Sequence, residues 1–436
     1  MISKNAIRGI AIAIVFLTAL LLGSPLRAAL TPEQRKLNVQ SFEYVWTAIR
    51  DKHWQTMPGG LDWQAIHDEY RPKIDAAVSM DAARVVLEEM LGRLHQTHFG
   101  IVPGELYSNV DGAQSDDTAT GIDLRVVGAQ VLVTSVERDS PAFKQGIAPG
   151  WEILKIAGTD LAPIVAKLNE TYAGSTLHDL MLRRAILGRL SSDASVPVQV
   201  EFLDGDDKRV SKMLAPGQPK GERVRFGYLN PMQVWINTSR VGGGNIGYVE
   251  FNVFLDAQRL MTSFGNAVEG CAKCEGFIVD LRGNPGGIGI MAMGMAGWFI
   301  AQPNQNLGTL YMRDATLKFV VNPRLTTFAG PLAILVDGTS ASTSEIMAEG
   351  LKDLGRARIF GSRTAAAALP SVFERLPNGD GFQYAIANYI SEGGKPLEGL
   401  GVTPDVETPP SRAALLAGKD PALDAAVEWI KSRGVN

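Results

Sequence analysis

The hydrophobic rhythm of the chain changes twice. From Thr31 to about Pro103 it is helical: "SFEYVWTAIRDKHW" sets Phe42, Val45, Trp46 and Ile49 on one stripe, and "DAARVVLEEMLGRLHQTH" repeats the period with Val85, Leu87, Met90, Leu91 and Leu94. This spacing predicts helices packed on a neighbour. From about Asp117 to Pro216 the rhythm shortens to alternation in "DLRVV", "QVLVTSV" and "VPVQVEFL", with Gly and Pro between the runs and one helical stretch near "TLHDLMLRRAI". That segment reads as a small, mostly β domain. From Glu222 to Asn436 apolar strands ("NIGYVEF", "GFIVDL", "PLAILV", "RARIF") alternate with helices ("AQRLMTSFGNAVEGC", "TSEIMAEGLKDLG"), and "FERLPNGDGFQYAIANYI" reads as a hairpin around Asn378 and Gly379. Strands alternating with helices predict an α/β layer whose functional groups gather beyond the strand ends.

The first residues follow a different logic. Lys4 and Arg8 precede an apolar run from Gly9 to Gly23, which breaks at Ser24 and Pro25, the layout of a secretory leader over 1–29. Leu26 or Arg27 stands where a small residue favours cleavage, so an uncleaved anchor is the alternative, although the run is short for a spanning helix. Either way the remainder is expected outside the cytoplasm, in a periplasmic or extracellular setting. Membrane contact is then confined to the leader, if it stays uncleaved. Cys271 and Cys274, in "CAKC", suit a local disulfide or a redox pair, and with no further ligand residues they carry no assigned chemistry.

Length and charge add limits. A chain of 436 residues is expected to hold two or three domains, at about 100–200 residues each. Its 42 Lys and Arg stand against 46 Asp and Glu without a basic block, which excludes nucleic acid as an expected partner. Nothing in the sequence speaks to oligomeric state.

Candidate chemistry lies in "DGTSASTSEIMAEG". Strand "PLAILV" ends at Asp337, and a helix begins near Ser344. Ser342 with Glu345 three residues on forms an S-x-x-E capping box, which alone accounts for the serine. A serine at a strand-to-helix turn is equally the geometry of an exposed nucleophile beside the positive end of a helix. Both readings stand on spacing alone.

"SASTSEIMAEGLKDLGRA", preceded by "GFIVDLRGNPGG" and followed by "PLEGLGVTPDVE", resembles the core of the C-terminal processing (tail-specific) serine peptidases and their tricorn-core relatives. "VLVTSVERDSPAFKQGIAPGWEILKIAGTDL" is similar to the PDZ domain many of those enzymes contain. The resemblance implies an α/β multidomain fold with a helical N-terminal segment (30–104), a mostly β PDZ-like domain (117–216) and an α/β, crotonase-like peptidase core (222–436). It implies Ser342 as nucleophile, Ser340 and Ser344 as structural residues, and Asp353 at an acidic position the family also uses. Where the processing peptidases carry lysine in a T-F-G-K-G stretch, this chain reads "RTAAAALPS" and has Ala367. A Ser/Lys dyad cannot work through a methyl group.

The tricorn-like branch uses instead a histidine preceded by a hydroxyl residue, with a late glutamate. "LHQTHFGIVP" matches with Thr97 and His98, and "PLEGLGVTPD" with Glu398. The resemblance therefore implies His98 as general base and acid, with Thr97 and Glu398 orienting it, although a histidine at a helix end is by itself as readily a cap or a core group. "DLRGNPGG" implies an oxyanion donor at Gly286 or Gly287, beside the N–H of Thr343; read without the resemblance, it is a tight turn. The PDZ-like likeness puts a carboxylate loop at Gly121, Ile122, Asp123 and Leu124, where a peptide would add as a strand. His95 and His98 have no third ligand nearby, so neither metal nor cofactor is expected. The expected function is an exported serine endopeptidase acting on unfolded or C-terminally exposed protein chains. The alternatives are an inactive peptide- or ligand-binding protein on the same fold, and a hydrolase of another amide or ester.

Overall fold

A computed structural model describes residues 30–105, 119–190, 196–229 and 231–433; the expected leader at 1–29 lies outside them. Three helices, Pro32–Lys52, Trp63–Asp75 and Met80–Gly92, open the described chain. Their caps follow from sequence: Thr31, Asp62 and Ser79 all have extended backbone, and each side chain accepts an N–H of the first turn. The apolar stripe is buried as expected at Phe42, Val45, Trp46, Ile49, Leu87, Met90, Leu91 and Leu94. Val85 departs from it at 41% exposure, because the buried stripe of its helix runs through Ala83, Leu87, Met90 and Leu91 and leaves position 85 off that face.

The middle domain is a sheet of Ile122–Val127, Gln130–Val136, Glu152–Ile156, Val198–Leu203 and Arg209–Leu214 in that spatial order, with Ile122–Val127 at its edge. Its core includes Leu124, Val131, Val133, Ile153, Val200 and Phe202, closed by Leu182 and Ile186 of the helix His178–Leu190. A further helix, Leu161–Thr171, was not apparent in the sequence pattern.

The third unit is a six-stranded sheet whose spatial order follows the chain: Ile236–Val241, Ile246–Phe251, Gly276–Asp280, Leu332–Val336, Ala357–Gly361 and Val406–Glu407. The first pair is antiparallel and the rest are parallel. Every residue of Gly276–Asp280 and Leu332–Val336 is buried, as expected for central strands covered on both faces. Phe277, Val279, Leu332, Ile334 and Val336 enter the large core beneath the helices Ala257–Glu269, Gly289–Ala296 and Thr343–Asp353. The alternate residues Ile278, Ala333 and Leu335 meet Ala422, Ala426 and Ile430 of the last helix, Pro421–Arg433.

The hairpin around Asn378 forms, as Ser371–Arg375 and Gly381–Ala385. It leaves the α/β layer, however, and pairs with Gly100–Val102, placing Leu376, Phe382 and Tyr384 in the core of the N-terminal helices. Alternation identifies a strand but not its partner. Cys271 and Cys274 are bonded to each other, and Cys271 Sγ lies against Gly247, near the start of the strand Ile246–Phe251. That is the opposite end of the sheet from the loops that follow Asp280 and Val336.

Candidate active site

Two loops at the carboxyl ends of adjacent strands build the centre. From Leu332 through Leu351 every residue is buried except Ser342. The hydroxyls around it are all engaged: Ser340 Oγ donates to Leu281 O at 2.7 Å, Thr343 Oγ1 to Gly287 O at 2.9 Å, and Ser344 Oγ to Asn284 O at 2.9 Å. Ser342 and Glu345 are set as in a capping box, yet only one arm closes as a hydrogen bond. Glu345 Oε2 accepts the Ser342 N–H at 2.9 Å, while the serine side chain accepts no cap bond. Its backbone, at φ 54 and ψ −116, also differs from the chain's working Ser caps, Ser79, Ser140 and Ser411, which are extended and accept N–H bonds. A non-glycine residue in this region stores about 1–3 kcal/mol of strain. Ser342 thus keeps the placement of a capping box, but its positive-φ backbone and partial exposure set it apart from those caps.

The "DLRGNPGG" turn lies against this serine. Asn284, fully buried, donates Nδ2 to Phe251 O and accepts the Gly286 N–H on Oδ1 at 2.9 Å. Among the described residues the N–H groups of Gly287 and Thr343 have no acceptor, so of the two glycines only Gly287 keeps a free donor. Gly286 has another role. At φ +98, a Cβ on it would sit 2.7 Å from Ser342 Cβ and 2.8 Å from Thr343 N, in the space before the free amide.

Thr97, His98 and Glu398 come together across the chain. Glu398 Oε1 accepts the Thr97 N–H at 2.8 Å, and its Oε2 accepts Thr97 Oγ1–H at 2.9 Å and the Ala368 N–H at 3.1 Å. Thr97 Oγ1 is also 2.8 Å from His98 Nδ1. A threonine hydroxyl has one proton, and here it goes to the carboxylate. It must therefore accept from His98, which puts the imidazole proton on Nδ1 and leaves Nε2 as a bare acceptor. Burial holds the His98 imidazole down to about 4 and pushes the Glu398 carboxyl up. His98 shares with Ser342 a positive φ, here 62. Among the described residues Ser342 Oγ and His98 Nε2 make no hydrogen bond to each other.

Ala367 is buried, and its side chain lies in a small cluster with Ala341, Ala365 and Leu177. Lys352 bonds Thr403 O and Asp405, and Lys395 pairs with Glu349, so neither lysine serves the serine. Asp353 accepts the Gly393 N–H at the far end of the serine's helix. Among the described residues no cluster of three or more His, Cys, Asp or Glu could hold a metal ion.

A contact that the sequence pattern did not reveal joins this centre to the middle domain. Arg125 Nε donates to Asp337 Oδ2 at 2.8 Å, and its Nη1 donates to Asp123 and to Leu124 O. Arg183 holds Asp123 from the other side. Asp337 Oδ1 accepts from Gly283 N and from Thr339 N and Oγ1, tying both loops of the site. Burial raises the Asp337 carboxyl, but Arg125, Thr339 and Gly283 outweigh it and hold it well below the usual range. Arg125→Met leaves this carboxylate buried without its cation and is expected to cost about 3 kcal/mol, read as a lower denaturant midpoint; an unchanged midpoint contradicts that role.

Known proteins resemble this chain in sequence and in fold. Residues 245–408 match the Peptidase family S41 and residues 36–92 the Tricorn protease C1 domain. The chain is 24% identical over 349 residues to the carboxy-terminal processing protease CtpB of Bacillus subtilis, covering 79% of this chain and 66% of that protein. It is 25% identical over 413 residues to a carboxyl-terminal-processing protease of Synechocystis, covering 89% and 84%. The fold matches the solved photosystem II D1 C-terminal processing protease with a TM-score of 0.56 at 20% identity, over 93% of this chain and 99% of that one. Residues 245–408 and 36–92 thus match a peptidase S41 and a Tricorn C1 domain, and the chain is a serine-type peptidase similar to the carboxy-terminal processing proteases.

Proposed function

We propose that this peptidase cleaves peptide bonds through an acyl-enzyme on Ser342, with His98 rather than a lysine as its base. Ser342 Oγ attacks the scissile carbonyl carbon while its proton passes to His98 Nε2. The new oxyanion faces the N–H groups of Gly287 and Thr343, at the positive end of the helix Thr343–Asp353. The C–N bond then breaks, the amine takes the proton from His98, and water repeats the sequence to release the acid. Thr97 and Glu398 keep the imidazole proton on Nδ1 and stabilise the imidazolium. Catalytic hydrogen bonds often tighten only with substrate present, so the Ser342–His98 bond is expected to close in the complex. The observation that carries the reading is the serine turn: a strained, partly exposed Ser342 at positive φ, set among the buried Ser340, Thr343 and Ser344, whose hydroxyls are all bonded to backbone carbonyls.

The substrates we propose are unfolded or C-terminally exposed protein chains. Ile122–Val127 is an edge strand beside the helix His178–Leu190, which suits a peptide added as a strand in PDZ-like fashion at Gly121, Ile122, Asp123 and Leu124. Arg125 and Arg183, which both hold Asp123, are cations that a chain-end carboxylate could take in its place. We place the protein outside the cytoplasm, on the leader-like sequence at 1–29 and on the bonded cysteine pair. Among the described residues no helix is long and apolar enough to cross a membrane.

Intact mass after incubation with a fluorophosphonate tests the nucleophile. One adduct is expected on the unsubstituted protein and none on Ser342→Ala. Absence of an adduct on the unsubstituted protein, with and without added peptide, replaces this reading with a binding protein on the same fold.

A further inference from the structure

Glu345 does far more than a capping glutamate requires. Its side chain is fully buried beneath the serine turn. Oε2 accepts from Ser342 N at 2.9 Å and Ala367 N at 3.0 Å, and Oε1 from Ala366 N at 2.9 Å and Thr364 Oγ1 at 2.5 Å. A capping box needs only the first of these. The next amide of the same segment, Ala368 N, goes to the other buried carboxylate, Glu398 Oε2. Three consecutive N–H groups, of Ala366, Ala367 and Ala368, are thus divided between the carboxylate under the serine and the carboxylate behind the histidine. The segment is fixed from its carbonyl side as well, by Ser342 N on Ala367 O at 2.8 Å and Gly399 N on Ala366 O at 2.9 Å.

We propose that Glu345 is a positioning residue: it clamps 364–368 to the serine turn, and so sets Ser342 in register with the Glu398–Thr97–His98 relay. The proposal rests on the reading of Ser342 as nucleophile and His98 as base. The backbone that presents a lysine in the processing peptidases is kept here as a spacer between two carboxylates, which explains a buried run of alanines that contributes no functional side chain.

The clamp works only when Glu345 is ionised. Three of its partners are N–H donors, and a protonated carboxyl would set an O–H against one of them. Burial pushes the Glu345 carboxyl up to about 7, against the pull of Thr364, Ser342, Ala367 and Ala366. The ionisable groups on the surrounding elements are engaged elsewhere. Arg363 bonds Leu400 O and Gly399 O, Glu398 bonds Thr97 and Ala368, His98 bonds Thr97, Glu349 one turn along pairs with Lys395, and Asp337 pairs with Arg125. Because the folded value lies above the unfolded one, this group favours the fold most below about 4.5 and loses that contribution as pH rises through about 7. Alignment of the site should move the opposite way, improving as pH rises through the same range. Opposite slopes separate positioning from stability.

The test is the fluorophosphonate labelling rate of Ser342 in the full chain from pH 5 to 9, normalised to folded protein by circular dichroism. The unsubstituted protein is expected to show a rate that rises through an inflection near 7. Glu345→Gln should label about 10- to 100-fold more slowly and lose that inflection. Thr364→Val, which removes one donor from Oε1, should move the inflection to higher pH. An inflection near 7 retained in Glu345→Gln, or a rate equal to that of the unsubstituted protein, overturns the proposal. If Glu345→Gln does not fold, Thr364→Val decides, and an unmoved inflection overturns it. No labelling of the unsubstituted protein at any pH removes the nucleophile reading and this proposal together, whereas labelling without these shifts removes this proposal alone.

Discussion

His98→Ala is expected to lower kcat for peptide cleavage by about 10³ to 10⁴-fold while KM changes little. The imidazole is argued to act on the proton of the attacking serine, not on the resting substrate, so its loss should appear in the chemical step. Thr97→Val should fall between His98→Ala and the unsubstituted enzyme, because Nε2 remains but nothing holds the proton on Nδ1. The pH profile adds an independent check. Burial keeps His98 neutral down to about 4, so protonation of the base should not limit the rate between pH 6 and 8. The folded value lies below the ordinary 6.5, so the native state binds fewer protons than the unfolded chain. Its stability should therefore decline as pH falls from 6.5 towards 4 and then level off, and His98→Ala should lack that component. Measurement is by steady-state kinetics and by denaturant midpoints across that range. Activity within about tenfold of the unsubstituted enzyme would move the base elsewhere.

The pieces of this site differ in how far the sequence exposes them, for physical reasons. The central strands are legible because parallel strands buried on both faces must be continuous apolar runs, and Gly276–Asp280 and Leu332–Val336 are. Ser342 is legible as a turn residue, but the choice between cap and nucleophile needs its φ and the accounts of its neighbours' hydroxyls. Thr97 and Glu398 lie 301 positions apart, and nothing local links them; only resemblance to a family pairs them beforehand. Glu345 was visible as half of a capping box, yet its larger role depends on backbone amides from 366 and 367, which carry no sequence signal. Position 85 and the hairpin Ser371–Arg375/Gly381–Ala385 show the converse limit, since periodicity specifies a face or a strand and leaves its partner to the tertiary fold.

Gly286→Ala is the second substitution with a large expected effect, and it separates the oxyanion site from the base. Gly286 keeps its own N–H on Asn284 Oδ1, so it is not the donor; what it supplies is room. An alanine Cβ there would lie 2.8 Å from Thr343 N, where a developing oxyanion must meet that amide. Removing one oxyanion donor costs about 10²–10³ in kcat, and blocking access to it should cost a similar factor. The ground-state carbonyl depends less on this contact, so KM should change much less than kcat. The φ of +98 adds backbone strain of about 1–3 kcal/mol, which lowers stability, and kinetics must therefore be normalised to folded protein. Asn284→Ala provides a contrast. It leaves the space open but frees the turn that aims the Gly287 N–H, so it should lower kcat while a small tetrahedral inhibitor still enters. Gly286→Ala should weaken that inhibitor more than it weakens substrate. Full turnover in Gly286→Ala, with inhibitor affinity intact, would place the oxyanion away from Thr343 N and require a different geometry of attack on Ser342.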